Sequence, residues 1–352
     1  MKQEDIQKFL AASGLPEHLA VQAAQEYDVV GLKRYQEIKE LFLSFVRVMA
    51  TAIEERSLYN ANHSRRMAGC GERFLDYLNA QAAAAGLPLP FASAHKRELL
   101  VSIWLHDVGK ITTPLEVMDK AERLSEVQKA DIHNRLKIIR LQNRLDYLEG
   151  KISAAQRDEV AAQVSQAAAE IDKISKSGFV TEEQLAWLAA VQSRTFTDED
   201  GLVCPWLEPD EYAMLCVRKG TLSAAERQVM EHHVESTDKL LAQIKFSADY
   251  ANVRSWAAAH HELLDGSGYP KHLTAAEIPP EVRIITILDI FDALIAPDRP
   301  YKPAKTVAEA LQILQTMAED EGKLDAELVR QFAASHCWED GGQEATIVSL
   351  IE

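Results

Sequence analysis

The chain has 352 residues, 47% of them hydrophobic, which is enough for one large or two ordinary domains with a real core. Its net charge of −16 repels nucleic acid and anionic lipid, which argues against a long DNA or RNA partner but allows a small anionic ligand where positive groups gather locally. Four cysteines form no Cys-x-x-Cys pair, the first residues are polar and charged, and no apolar run approaches the ~20 residues needed to span a bilayer, so the expectation is a cytoplasmic protein with reduced thiols, no secretion signal and no membrane contact.

Glycine and proline are sparse, at 15 and 12 residues, and no alternating runs of valine and isoleucine mark a sheet, so the fold class expected is all-α. Residues 1–34 read as short helical pieces broken at Gly14-Leu15-Pro16. A long helix is expected from about Tyr35 to Ser57-Leu58-Tyr59-Asn60. A second carries His63 and ends near Gly86, ahead of Pro88 and Pro90. A third starts after Ser93 and delivers His106-Asp107 at its C-terminal end.

From about residue 125 to 177 the pattern becomes that of two antiparallel helices. Ile138, Leu141, Leu145, Leu148 and Ile152 recur at spacings of three and four in the first, and Val160, Val164, Ala167, Ile171 and Ile174 in the second. Ser153 and Gln156 form a capping box between them. A coiled-coil hairpin and an ordinary amphipathic pair fit this pattern equally. Residues 194–220 read as irregular. A helix then starts at Ser223, with Glu226 completing its capping box, and carries His233. Another carries His260-His261. The run from Val282 to Leu294, containing Asp289 and Asp292, is long enough to prefer helix over strand. Helices at Val307–Met317 and Ala326–Ala334 close the chain.

Imidazoles and carboxylates at five places along the chain, His63, His106-Asp107, His233, His260-His261 and Asp289, suffice for two divalent metals. Tandem histidines are poorly explained by packing, because two buried polar rings cost free energy unless each finds a partner. Asp107 suits a bridging position between two ions. The donor set fits iron, manganese, zinc or nickel, and its lack of thiolates argues against a cysteine–zinc site.

Leu105-His106-Asp107-Val108-Gly109-Lys110 and His260-His261-Glu262-x-x-Asp265-Gly266-x-Gly268-Tyr269-Pro270 together resemble the HD-GYP family of cyclic dinucleotide phosphodiesterases, a branch of the HD metal-dependent phosphohydrolases. The resemblance extends to Asp289-Ile290-Phe291-Asp292-Ala293-Leu294 and to Asp298-Arg299-Pro300-Tyr301-Lys302, and covers roughly residues 40–123 and 214–335. It implies an HD-type helical bundle with a helical-hairpin insertion: an N-terminal extension over 1–34, a catalytic domain over 35–123 and 214–352, and the insertion over 124–213.

The resemblance also implies roles. His63, His106, Asp107 and Asp289 hold one metal, and His233, His260 and His261 hold the other, with Asp107 shared and His232 a bystander. Lys110 contacts the scissile phosphate, Arg299 and Lys302 bind the substrate's phosphates, and Tyr269 touches a base or packs. Glu262, Asp265 and Asp292 orient ligand histidines. Some members of the family hold a third metal with a glutamate one turn before the first histidine. Tyr59 stands there, so two metals are expected.

The chemistry implied is in-line hydrolysis of cyclic di-GMP to the linear dinucleotide and on to GMP. Hydrolysis of the hybrid cyclic GMP-AMP, and a receptor that binds without turnover, are the alternatives. A homodimer is a further expectation, with the hairpin as one means of self-association.

Overall fold

The computed structural model describes residues 17–57, 62–198, 200–296 and 304–339. Among them the fold is all-α apart from one small ribbon. In chain order the helices are α1 (Glu17–Glu54), α2 (His63–Ala84), α3 (Ser93–Leu105), α4 (Leu115–Met118), α5 (Glu126–Leu148), α6 (Ala154–Lys176), α7 (Glu182–Gln192), α8 (Pro209–Leu215), α9 (Ala224–Leu241), α10 (Val253–Ala257), α11 (Pro280–Ile295), α12 (Val307–Glu319) and α13 (Ala326–Ser335). A short 3-10 turn, Val108–Thr112, follows α3. Strands β1 (Thr195–Thr197) and β2 (Val203–Pro205) pair antiparallel, with Phe196 opposite Cys204.

The main core lies among α1, α2, α3, α11 and α13. Every residue of α3 from Glu98 to Leu105 is buried, and so is most of α11, as expected of helices apolar on all sides. Phe332 meets both Phe74 and Phe291 edge-on, joining α13 to α2 and α11. Gly71 allows α2 to approach closely: a Cβ there would lie 2.9 Å from Ile103 Cδ1 and 3.1 Å from Leu288 Cδ1. α1 adds Leu43, Val46, Ala50 and Ile53 at helical spacing. This helix runs unbroken from Glu17, so no new helix begins at Tyr35, and it ends at Glu54, slightly before the stop expected. The expected break at Gly14-Leu15-Pro16 lies outside the described residues.

A second core lies between Leu124 and Leu215, the stretch expected to be an insertion. α5 and α6 form the expected antiparallel pair, and the Ser153–Gln156 capping box is present. α6 buries Val164, Ala167, Ile171 and Ile174, as its spacing predicts. α5 departs from expectation. It packs through Ile132, Leu136 and Ile139, and leaves Ile138, Leu141, Leu145 and Leu148 exposed. Both sets have helical period, so spacing alone could not tell them apart. The segment read as irregular contains the ribbon and α8, and α7 precedes it.

Arg123 ties the start of this segment to its end. The side chain is fully buried and donates through Nε to Val217 O at 2.9 Å, and through Nη1 to Ile174 O at 2.7 Å and to Ser177 O. These bonds satisfy carbonyls at the end of α6 and on the strand of chain returning to the body. Arg123→Met keeps the stem and strands the Val217 and Ser177 carbonyls, while Ile174 O keeps the Ser177 amide. The substitution is expected to lower stability by about 3 kcal/mol, read from the denaturant midpoint, since each buried orphan costs ~1–3 kcal/mol.

Candidate metal centre

Three helices and two turns converge on one point. His106 caps the C-terminus of α3, and Asp107 follows it into the 3-10 turn. That turn is held against α9 by Thr237, whose hydroxyl donates to His106 O at 3.0 Å and accepts from the Gly109 amide at 2.9 Å. Only glycine fits at 109, because a Cβ would overlap the His233 carbonyl and the Thr237 amide. The Gly-Tyr-Pro turn is equally tight: a Cβ on Gly268 would overlap the backbone of His261–Leu263.

The structure brings His63, His106, Asp107, His233, His260, His261 and Asp289 together. His106, His233 and His260 share one device. Each donates Nδ1–H to a carbonyl three residues earlier, Ile103 at 2.6 Å, Met230 at 2.6 Å and Ala257 at 2.7 Å. That fixes the neutral tautomer and leaves each Nε2 lone pair facing inward, the form that binds metal. His63 is held differently. Its Nδ1 meets Asp292 Oδ2 at 2.7 Å, and Asp292 is gripped by Arg66 at 2.8 and 2.9 Å.

Donor atoms crowd the centre. His63 Nε2 lies 3.3 Å from Asp289 Oδ1, and His106 Nε2 lies 3.3 Å from Asp107 Oδ2. On the other side His233 Nε2 and His260 Nε2 lie 3.4 and 3.8 Å from Asp107 Oδ1. Asp107 Oδ1 is buried and has no hydrogen-bond partner. Its two oxygens thus face two different groups. His63, His106 and Asp289 form one, His233, His260 and His261 form another, and His106, Asp107 and His260 link them; within each, the ligand atoms lie within 4.8 Å. Lone pairs aimed at one another repel unless a cation lies between them, so this donor set fits metal ions.

The charges of His260, His261 and Asp107 agree with that reading, and His63 is the exception. Burial, aided by the neighbouring His261 and His106, holds His260 well below the usual imidazole range, and burial lowers His261 to about 4. Burial works against ionising Asp107, but His106 and Lys110 overcome it and hold the carboxyl well below its ordinary value. Burial alone would lower His63. Hydrogen bonds with Asp289 and Asp292 outweigh it and raise the ring to about 10.

Lys110 Nζ rests 2.6 Å from Asp107 Oδ2, and its pKa is raised because Asp107 and Asp289 outweigh burial. The Tyr269 ring lies 4.8 Å from that of His261. His232 is exposed and pairs with Glu235, away from the centre. Arg299, Lys302 and Tyr59 lie outside the described residues.

Three readings change. His260-His261 stand in the turn after α10, not on a helix. Glu262 accepts from the Lys271 and Leu273 amides at 2.7 and 2.8 Å, shaping the glycine-rich turn instead of orienting a histidine. Asp265 accepts from the amide and hydroxyl of Ser267 at the surface. Asp292 does contact a histidine of the cluster. The part played by Thr237 was missed; its position four residues after His233 places both on one face of α9.

Residues 207–328 match the family described as HD domain. The match includes His233, His260, His261 and Asp289, and the other three clustered residues precede it. The chain is 39% identical over 98 residues to a 3′3′-cGAMP-specific phosphodiesterase of Vibrio cholerae, covering 28% of this chain and 20% of the relative. It is 41% identical over 100 residues to the cyclic di-GMP phosphodiesterase response regulator RpfG of Xanthomonas campestris, covering 28% and 25%. It is 32% identical over 124 residues to a cyclic di-GMP phosphodiesterase of Thermotoga maritima, covering 34% and 31%. The chain therefore spans less than a third of the length of each of these relatives. The HD-GYP resemblance read from the motifs is borne out. Among the described residues no helix is long and apolar enough to cross a membrane.

Because Asp107 links the two groups through His106 and His260, whereas Asp289 belongs with His63 and His106 and reaches the other group only at His261, 3.6 Å from Oδ2, their removal should differ. Asp107→Ala is expected to lose nearly all tightly held transition metal, and Asp289→Ala to keep a remnant at the His233 side. Elemental analysis of dialysed protein, with circular dichroism to confirm folding, reads the difference; equal metal content in the two variants would contradict the bridging geometry.

Proposed function

We propose, on the premise that this chain carries an HD domain of the HD-GYP kind, that it is a metal-dependent phosphodiesterase that opens a cyclic dinucleotide. The observation that carries this reading is the convergence of five imidazoles and two carboxylates, with the Nε2 lone pairs of His106, His233 and His260 turned inward and Asp107 Oδ1 unsatisfied. His63, His106, Asp107 and Asp289 would hold one ion, and Asp107, His233, His260 and His261 the other, with iron or manganese the first choice and nickel or zinc within reach of the same donors. Two such ions supply an activated water at neutral pH and positive charge for the phosphoryl oxygens.

The protein's own groups do the rest. Lys110 stays an ammonium at neutral pH and, tethered to Asp107, presents that charge to the scissile phosphate. Arg66, through Asp292, fixes the plane of the His63 ring. His106, His233 and His260 are prevented from turning by their carbonyl bonds. Tyr269, pushed above the usual phenol range by burial and then by Asp289, remains a neutral donor beside the only partly exposed histidine of the cluster, His261. Arg299 and Lys302 complete the proposal as phosphate contacts, which an acidic chain needs in order to draw in an anion.

Cyclic di-GMP is the first substrate proposed. The relatives' names carry both cyclic di-GMP and 3′3′-cGAMP, so the hybrid is the second. A receptor without turnover would have no need of so complete a ligand set.

Purified protein loaded with Mn²⁺ or Fe²⁺ and incubated with cyclic di-GMP and cyclic GMP-AMP is expected to yield the linear dinucleotide from at least one, and GMP on longer incubation with the first. No hydrolysis of either, with metal bound, would contradict the enzyme reading. Lys110→Met is expected to retain its metal and lose about 10²-fold in kcat, the scale of one removed donor to a transition-state anion. Unchanged turnover would remove Lys110 from the mechanism.

A further inference from the structure

The insertion leaves one apolar surface that the catalytic reading does not use. On α5, Ile138, Leu141, Leu145 and Leu148 are 45, 66, 53 and 70% exposed. They follow the alternating spacing of a heptad seam, on the face opposite the Ile132, Leu136 and Ile139 stripe that packs within the insertion. A helix with two such seams, one already filled, is built to take a second helix.

We propose that this seam is a homodimer interface, in which α5 pairs with α5 of a second copy of this chain in parallel orientation. The charges beside the seam choose the partner and its direction. With Ile138 and Leu145 at heptad positions a and Leu141 and Leu148 at d, the g positions on the helix are Lys137 and Arg144, and Glu149, its C-cap, is the e position that follows Arg144. A parallel pair sets Arg144 against Glu149 of the second copy, twice over. An antiparallel pair sets the g positions against one another, all of them basic. Arg144 is exposed and has no ion pair among the described residues. Glu149 has a solvent-facing link to Lys151 at 2.7 Å, which is weak enough to share. α1 also exposes Ile38, Leu41, Phe45 and Val48, but the e positions there are Phe42 and Met49, so no charge pair selects a second copy.

Sedimentation velocity of the full chain, without added metal or nucleotide, reads this directly. Wild type is expected at twice the chain mass at tens of micromolar. Leu141→Lys with Leu145→Glu is expected to weaken association more than about a hundredfold, as loss of a buried interface centre does, with helicity unchanged because both sites are exposed in the single chain, and with melting matching wild type only at concentrations too low for wild type to dimerise. Arg144→Glu should weaken it roughly three- to tenfold, and adding Glu149→Arg should restore it. Wild type that stays monomeric, as when another stretch of this chain covers the seam, overturns the proposal. So does a dimer that survives the double substitution. A charge reversal that fails to restore association overturns the parallel orientation.

Discussion

The carboxylate of Asp107 sits between two sets of imidazoles, and the rest of the site is organised around keeping it there. It is buried, ionised and only half satisfied: Oδ2 meets Lys110, and Oδ1 has no hydrogen-bond donor. A buried anion of this kind survives only where cationic groups surround it. Its position follows from backbone geometry. α3 ends at His106, the chain tightens into a 3-10 turn, and Gly109 lies so close to α9 that the Thr237 hydroxyl bonds both sides of the junction.

The helical core supplies rigidity for that arrangement. α3 and α11 are enclosed by neighbours, so His106 and Asp289 are held by the most deeply packed helices of the main core. The rings of His106, His233 and His260 are then locked by a local bond that the sequence provides three residues upstream, and that of His63 by the Asp292–Arg66 pair. Metal affinity in such a site depends on ligands that do not have to be reorganised when the ion arrives. The acidic chain leaves Lys110 as the one ammonium fixed at the cluster among the described residues, which gives it weight out of proportion to its size.

The clustered residues were legible in the sequence because metal chemistry restricts residue type: adjacent His106-Asp107, tandem His260-His261 and a lone Asp289 in an apolar run have few other uses. Helix starts were legible where a capping box marks them, as at Ser153 with Gln156 and Ser223 with Glu226. Other features were not. Glu262 has the same composition signature whether it orients a histidine or braces a turn, and only the three-dimensional path of residues 262–273 separates the two. The α5 seam has the period of a core face, because period reports that a face is apolar and not what covers it. His260-His261 left the helix without a nearby breaker, since α10 is only five residues long.

The central claim is that two cations share the Asp107 carboxylate. Anomalous diffraction from crystals of metal-loaded protein, collected above and below the metal's absorption edge, tests it most directly. The account predicts two peaks about 3.5–4 Å apart, one on each side of Asp107. A single peak, or peaks away from His63, His106, His233, His260, His261 and Asp289, would contradict it.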